Sequence, residues 1–263
     1  MVRLGISTLF CLSKPLPDAI KRLEHLNRIG VSHVEVVDDG PHELSVRRVG
    51  MLRRAFLDRN ISLSVHAPFT DINIASISPV IRSAVMKRLR KSIEISVQLD
   101  PECWVFHPGI RSAIGDALKG LDWKINLKST CELLDLAGKY GLRIAIENVP
   151  DPFPFLLKRV EDFERFYGVL NAYGSELGIA FDIGHAHING QVDKFIERFG
   201  SRIIHIHVHD NDGSADTHLG IGFGSIDWAD VIRAIKEINY RGALVIESKD
   251  NIEGSIQTLK RLI

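Results

Sequence analysis

Short β-branched segments alternate with amphipathic segments eight times along the 263 residues of this chain. The strand-like segments span residues 2–6, 33–37, 61–66, 102–107, 143–148, 177–182, 202–209 and 242–247. The segments with apolar residues at helical spacing span 17–29, 43–59, 80–98, 116–140, 158–172, 191–199, 228–238 and 251–262. Consecutive parallel strands need a crossover connection, usually a helix, so the alternation predicts a parallel sheet. Eight units favour a closed (β/α)8 TIM barrel over an open doubly wound sheet, and we expect one α/β domain across residues 1–263.

The composition is that of an ordinary globular protein, with 45% apolar and 25% charged residues. No apolar run reaches the roughly 18 residues that a membrane span needs. The opening residues MVRLGISTLF are too short for a signal peptide and have no small-residue cleavage site. Cys11, Cys103 and Cys131 form no CxxC pair, which fits a reducing compartment. We therefore expect a cytoplasmic protein that does not act at a membrane.

The charges balance, with 33 Lys and Arg residues against 33 Asp and Glu residues. Proteins that bind nucleic acid without specificity usually carry a basic excess, so this balance favours a small-molecule partner over nucleic acid. Helix faces that cover a barrel look the same in sequence as helix faces that form a dimer contact. A homo-oligomer therefore stays open.

Six consecutive predicted strands, the third to the eighth, carry metal-binding side chains at or near their ends. These are His66, His107, Glu147, Asp182, the alternating series His205, His207 and His209, and Glu247. The carboxyl ends of barrel strands are where catalytic groups lie in this fold class. Burying acids and imidazoles without partners at the carboxyl-terminal mouth of a barrel, away from water, costs free energy. A divalent cation bound by several of them removes that cost. The pattern therefore predicts a divalent-metal site.

Two local spacings support this site. Asp182 and His185 are three residues apart in FDIGHAH, and Asp216 and His218 are two apart in DTHLG. The second spacing directs both side chains to one side of an extended segment. The nearby GIGFGS segment does not have the GxGxxG spacing, and the chain contains no P-loop, HExxH or GxSxG motif. We therefore expect a metal and no organic cofactor.

Several polar residues near the strand ends have more than one interpretation. Glu35 in the second strand could approach the mouth or have a structural use. Asn148 follows Glu147 and could orient that residue or contact substrate. Asp210 and Asn211 could orient His207 or contact substrate, and His205 fits a buried core position better than a ligand position.

The motifs HAPF, FHPG, IENVP, FDIGHAH, HIHVHDND, DTHLG and VIES, in this order, resemble the xylose-isomerase-like barrel superfamily, which also contains endonuclease IV. The resemblance to endonuclease IV implies a trinuclear zinc cluster held by His66, His107, Glu147, Asp182, His185, His207, Asp216, His218 and Glu247. The resemblance to the sugar isomerases and epimerases implies a single ion, often manganese, held by Glu147, Asp182, His207 and Glu247. We therefore expect one to three divalent ions, either Zn2+ or Mn2+.

The chain departs from endonuclease IV where that enzyme contacts DNA. The first strand reads GIST in place of Gly-x-His-x-Ser, and Phe69 replaces the tyrosine that enters DNA. HAPFTDIN and HDNDG instead resemble proteins described as sugar phosphate isomerase/epimerase. These differences favour a carbohydrate substrate over DNA.

The favoured function is therefore metal-dependent isomerisation or epimerisation of a sugar or sugar phosphate. Glu147 and Glu247 would transfer protons beside a metal-chelated carbonyl. His185, His209 and Asn148 would bind substrate, and His66, His107 and His218 would line the pocket. The first alternative is a zinc-dependent phosphodiesterase of the endonuclease IV type, which acts at abasic sites. The second alternative is a barrel that binds metal or sugar without catalysis.

Overall fold

The computed structural model describes residues 2–115, 117–171 and 176–263. Its strands are β1 (Arg3–Ser7), β2 (His33–Val37), β3 (Ser62–His66), β4 (Trp104–Phe106), β5 (Ile144–Glu147), β6 (Gly178–Asp182), β7 (Ile203–Val208) and β8 (Ala243–Ile246). Each strand pairs in parallel with the next, and β1 pairs with β8, so the sheet closes into a barrel. The predicted (β/α)8 barrel is confirmed. The assignment of residues 1–263 to one domain stays a prediction.

Helices follow the strands and cover the outside of the barrel. They are α1 (Leu16–Arg28), α2 (Val46–Ala55), α3 (Pro79–Ser96), α4 (Leu121–Lys139), α5 (Val160–Leu170), α6 (Ile183–Ile188), α7 (Val192–Phe199), α8 (Trp228–Glu237) and α9 (Ile252–Leu262). All of them except α6 correspond to predicted helical segments. In the described part of the chain, none is both long enough and apolar enough to cross a membrane.

The predicted helix over residues 116–140 is shorter in the structure and begins at Leu121. Lys119 and Gly120 adopt left-handed backbone angles, with φ of 51° and 71°, and an α-helix cannot continue through them. Residue 116 and the last residue of the predicted helix 158–172 lie outside the described residues.

The residues of each strand alternate between two environments. Trp104, Phe106 and other outward residues join the large core between barrel and helices. Cys103, Val105, Ala145 and Ala180 form a separate small cluster inside the barrel. Side chains alternate with period two along a strand, so the next inward positions are His107, Glu147 and Asp182. The interior therefore changes from small apolar side chains to acids and imidazoles as the strands reach their carboxyl ends.

Candidate active site

The nine residues predicted as metal ligands all lie at the carboxyl-terminal mouth of the barrel. They form three adjoining groups: His66, His107 and Glu147; Asp182, His207 and Glu247; and His185, Asp216 and His218, joined in this last group by His209. Most of these side chains are buried, and the more open ones are His107 and Asp216, at 23% and 18% exposed. Residues far apart in sequence thus meet in one place, although their role as ligands stays a prediction.

Glu147 lies at the centre of the constellation because its two carboxylate oxygens face different groups. Oε2 lies 3.2 Å from Nε2 of His66 and 3.3 Å from Nε2 of His107. Oε1 lies 3.4 Å from Nδ1 of His185 and 3.5 Å from Nδ1 of His207. A single carboxylate therefore contacts all three groups of the mouth.

The ring of His207 lies between two carboxylates, one from a residue before it in the sequence and one from a residue after it. Glu147 approaches its Nδ1, and Oε1 of Glu247 lies 3.8 Å from its Nε2. Oδ2 of Asp182 lies 3.9 Å from Nδ1. The carboxylates contributed by β5 and β8 therefore flank one imidazole.

The third group is assembled around Asp216, in the loop after β7. Its Oδ2 lies 3.5 Å from Nε2 of His185, and its Oδ1 lies 3.3 Å from Nε2 of His218. His209 stacks on His218 with ring centroids 3.9 Å apart, and its Nε2 lies 3.2 Å from Oδ1 of Asp182. His209 is fully buried in this stack. It is therefore placed among the acids of the group and does not line the cavity.

The constellation fits a divalent cation on two observations. Buried polar atoms without a hydrogen-bond partner include Oδ2 of Asp182, Nδ1 of His207, Nε2 of His209 and Oδ1 of Asp216. The nitrogen–oxygen separations in the first and third groups are 3.2–3.6 Å, and Asp182 and Glu247 of the second group lie 3.9 and 3.8 Å from His207. Atoms that bind one ion at about 2.1 Å are separated by roughly 3.0–3.4 Å, whereas N–H···O hydrogen bonds centre on about 2.9 Å. The spacing in the first and third groups is therefore closer to that of ligand atoms than to that of direct hydrogen bonds.

Backbone carbonyls orient three of the histidines. Nδ1 of His66 donates to the carbonyl of Ala67 at 2.8 Å, and Nδ1 of His218 donates to the carbonyl of Glu247 at 2.9 Å. Nδ1 of His185 lies 2.8 Å from the carbonyl of Asn148. A proton held on Nδ1 leaves the Nε2 lone pair directed at the acids of the mouth, which is the arrangement found for metal-bound histidines.

Burial and charge act against each other on the pKa values of the mouth. Burial raises the pKa of Glu147, but the nearby His207 and His107 lower it by a larger amount. The pKa of Glu147 therefore lies well below the usual range. Burial lowers the pKa of His185, but Asp182 and Asp216 raise it, so its pKa lies well above the usual range. The same balance raises the pKa of His207 well above its ordinary value. Protons on these histidines therefore compensate the buried acids, and a divalent cation can replace those protons.

A short helix that the sequence patterns did not reveal places Asp182 and His185. The carboxylate of Asp182 caps α6 by accepting a hydrogen bond from the backbone N–H of His185 at 2.7 Å. The three-residue spacing of the two side chains was the available signal. The six residues of α6 are too few to show helical periodicity.

Glu35 is the residue near the site whose place the sequence left open. It is fully buried in β2 and accepts a hydrogen bond from Nε2 of His207 at 3.0 Å. Its other oxygen lies 2.8 Å from Nε2 of His205, and Ser64 donates to it at 3.3 Å. The hydrogen bonds from His207 and Ser64 place Glu35 in a hydrogen-bonded layer below the mouth, whereas Nε2 of His205 contacts its carboxylate without hydrogen-bond geometry. A glutamate in the centre of the buried strand HVEVV was the signal for this role.

Three other residues brace the backbone of the mouth. Asn148, predicted to bind substrate, donates to the carbonyl of Asp182 and accepts from its N–H, each at 2.8 Å. Asp210 accepts from the N–H of Gly222 at 2.8 Å and from Nε1 of Trp228 at 2.9 Å, which holds the GIGFGS turn. Asn211 donates to the carbonyl of Gly184 at 2.9 Å.

A cavity of about 540 Å³ opens above the acids and imidazoles. Its lining includes His66, His107, Glu147, His185, Asp216, His218 and Glu247 together with apolar residues and Lys249. This volume suits a small molecule. The acids and imidazoles that line the cavity are therefore accessible to a ligand from one side, whereas Asp182 and His207 lie buried beneath them.

The fold and the mouth define a class of protein: a parallel (β/α)8 barrel with histidines and carboxylates gathered at the carboxyl ends of its strands. Residues 23–263 match the family described as xylose isomerase-like TIM barrel, and the chain belongs to this family. The resemblance seen in the sequence motifs is confirmed.

Known proteins similar to this chain include sugar isomerases and epimerases. A solved D-tagatose 3-epimerase-like protein has a TM-score of 0.89 and 31% identity, over 99% of this chain and 96% of that one. The uncharacterized protein MJ1311 of Methanocaldococcus jannaschii is 32% identical over 98% of this chain and 87% of its own length. Inosose isomerase of Bacillus velezensis is 30% identical over 44% of this chain and 43% of its own length.

Proposed function

We propose that the protein is a divalent-metal-dependent isomerase or epimerase that acts on a small carbohydrate. The observation that carries the proposal is that the carboxylates of Glu147 and Glu247 lie 3.5 and 3.8 Å from the two nitrogens of the His207 ring, one near each nitrogen. Epimerisation beside a carbonyl needs one group that removes a proton and one that returns it. The similarity to a D-tagatose 3-epimerase-like protein and to inosose isomerase supports the same reaction class.

The metal would be held by Glu147, Asp182, His207 and Glu247, with Zn2+ or Mn2+ as the candidate ions. When bound, a divalent ion supplies Lewis-acid polarisation of the substrate carbonyl. The unpaired Oδ2 of Asp182 and Nδ1 of His207 support this assignment because both atoms are buried and lack a partner.

The two glutamates would perform the proton transfers. One carboxylate removes the proton from the carbon next to the carbonyl, and the electron pair of that C–H bond moves to give an enediolate. The other carboxyl group returns a proton to the opposite face of this carbon, which inverts its configuration. The low pKa of Glu147 keeps it in the carboxylate form that a base requires. His66, His107 and His218 line the cavity and would bind substrate hydroxyls.

Hydrogen exchange with solvent tests this proposal whichever product the protein forms. Metal-loaded protein is incubated in D2O with a panel of ketoses and inososes, and deuterium at the carbon beside the carbonyl is followed by NMR. We expect incorporation by the wild type, none by Glu147→Gln, and wild-type rates for the exposed-site control Glu237→Gln. Undiminished incorporation by Glu147→Gln would remove this residue from the mechanism.

Zinc-dependent phosphodiester hydrolysis is the second candidate, and the third group of the mouth favours it. Asp216 and His218 are not needed to hold a single ion at Glu147, yet Oδ1 of Asp216 is buried without a hydrogen-bond partner. With further ions bound, His66, His107, His185, Asp216 and His218 would act as ligands. Cleavage of abasic-site DNA by zinc-loaded protein, with about three ions per chain, would establish this function in place of the first. Sugar binding without turnover of any substrate would establish a binding protein.

A further inference from the structure

The cavity above the mouth has one apolar side. This side, called here the apolar wall, is formed by the loops that follow β3, β4 and β5. Its residues are Phe69, Ile110, Val149, Phe153, Pro154 and Phe155. Phe153 is 49% exposed and lies beside five other apolar residues, so the wall is a contiguous apolar patch, the kind of surface that marks a ligand-binding site.

The apolar wall begins directly at the first group of the mouth. The ring of Phe69 lies 5.5 Å from the ring of His66 and 5.7 Å from the ring of His107, measured between centroids. Phe155 meets His107 edge to face at 5.7 Å. A ligand that reaches His107 from the cavity therefore contacts these aromatic rings.

The backbone of the wall has its polar groups engaged between loops. Ile110 and Phe155 form an antiparallel bridge, and the N–H of Arg111 donates to the carbonyl of Pro154 at 2.6 Å. The side chain of Asn73 accepts from the N–H of Ile110 at 2.9 Å and donates to its carbonyl at 3.2 Å. These bonds join the three loops and leave fewer backbone groups for substrate hydroxyls.

Val149 shows the same arrangement at the other end of the wall. Its carbonyl accepts from the side chain of Asn189 at 3.3 Å, and its N–H donates to the carbonyl of Leu157 at 3.4 Å. The wall is therefore a preformed apolar surface held by hydrogen bonds on its far side.

We propose that the substrate is an α-hydroxy ketone with an uncharged apolar group, such as a deoxy carbon, an alkyl chain or an aryl ring, seated against the apolar wall. This inference rests on the proposed function, which places the carbonyl end of the substrate at the acids of the mouth. A hydroxyl pressed against the wall would lose water and find no partner, whereas an apolar group gains by leaving water.

The charges around the cavity support an uncharged tail. Among the described lining residues, Lys249 is the one lysine or arginine, and it is not part of the apolar wall. A phosphate dianion seated against the wall would be desolvated without a cation or a set of N–H donors.

Matched pairs of ketols test the inference by isothermal titration of the Mn2+-loaded protein. The pairs are 2-hydroxyacetophenone against hydroxyacetone, and 6-deoxy-L-fructose and 6-deoxy-L-tagatose against L-fructose and L-tagatose. We expect each deoxy ketose to bind about tenfold more tightly than its partner, since a tenfold change corresponds to about 1.4 kcal/mol, the scale of one buried unpaired hydroxyl. 2-Hydroxyacetophenone should bind at least about tenfold more tightly than hydroxyacetone because its ring leaves water.

A pair of phenylalanine variants connects the preference to the wall. Phe153→Ser should reduce the preference for 2-hydroxyacetophenone by about tenfold. Phe223→Ser is the matched control because Phe223 is 68% exposed and does not line the cavity. It should leave the preference unchanged.

The outcomes separate this inference from the proposed function. Tighter binding of the less apolar member of each pair, or a preference that Phe153→Ser leaves intact, overturns the inference alone. If no ketol of either kind binds to the metal-loaded protein, the proposed function is wrong and the inference falls with it.

Discussion

The carboxylate of Glu35 accepts a hydrogen bond from Nε2 of His207 at 3.0 Å, although 172 residues separate the two in the chain. The bond directs the opposite nitrogen, Nδ1, towards Glu147 and Asp182. Because a carboxylate behind an imidazole fixes its tautomer and increases its basicity, Glu35 prepares His207 to bind a cation.

We therefore expect Glu35→Gln to weaken Zn2+ binding by about 10- to 100-fold, the usual effect of losing such a partner. Competition with a chromophoric chelator measures the affinity. Glu237→Gln, an exposed change on α8, is the control. Unchanged affinity in Glu35→Gln would show that the charge of Glu35 does not act through His207.

Metal binding should release protons, and affinity should fall as pH falls. The pKa values of His185 and His207 lie above their ordinary range because the nearby acids raise them by more than burial lowers them. Such histidines keep their protons to higher pH, so an incoming ion must displace them. Titration calorimetry in two buffers of different ionisation enthalpy counts the protons released at pH 7. The absence of release would mean that these histidines are already neutral without metal.

An ion pair at the end of the barrel remote from the mouth should contribute to acid stability. Burial raises the pKa of Glu102, but the paired bonds from Arg3, at 2.6 and 2.8 Å, lower it to about 2. A lowered carboxyl pKa stabilises the fold above the unfolded value of 4.5, and this contribution is lost as pH falls towards 2.

Urea unfolding at a series of pH values from 5 to 2.5 measures this contribution. Glu102→Gln should be less stable than wild type at pH 5, and the difference should shrink as the pH falls. The exposed-site variant Glu237→Gln should follow the wild type. A difference that does not change with pH would exclude the ion pair as its cause.

Substitution of His66 or His107 by alanine separates the two enzymatic proposals. If the protein is an epimerase with one ion, the metal content should stay unchanged and KM should rise by about tenfold, the effect of losing one buried hydrogen bond. If the protein is a zinc phosphodiesterase, the same variants should each lose bound zinc. Metal analysis beside steady-state kinetics distinguishes these results.

The barrel and the positions of most mouth residues could be predicted because both depend on local patterns. Period-two alternation in β7 separates His205, His207 and His209 from the outward Ile206 and Val208, and the carboxyl ends of parallel strands must meet at one end of a barrel. Hydrogen bonds between residues of strands far apart in the sequence produce no local sequence pattern. The bond from His207 to Glu35 and the two bonds from Asn148 to Asp182 depend on strand register, which became visible only in the folded chain.

The central claim is that the mouth around Glu147 binds a catalytic divalent ion. Elemental mass spectrometry of protein dialysed after exposure to Zn2+ or Mn2+ tests it most directly, with Glu147→Gln and Glu237→Gln prepared in parallel. We expect at least one retained ion per chain in the wild type and in Glu237→Gln, and a clear loss of metal in Glu147→Gln. A wild-type protein that retains no ion, or a Glu147→Gln variant that retains as much as the wild type, would contradict the account.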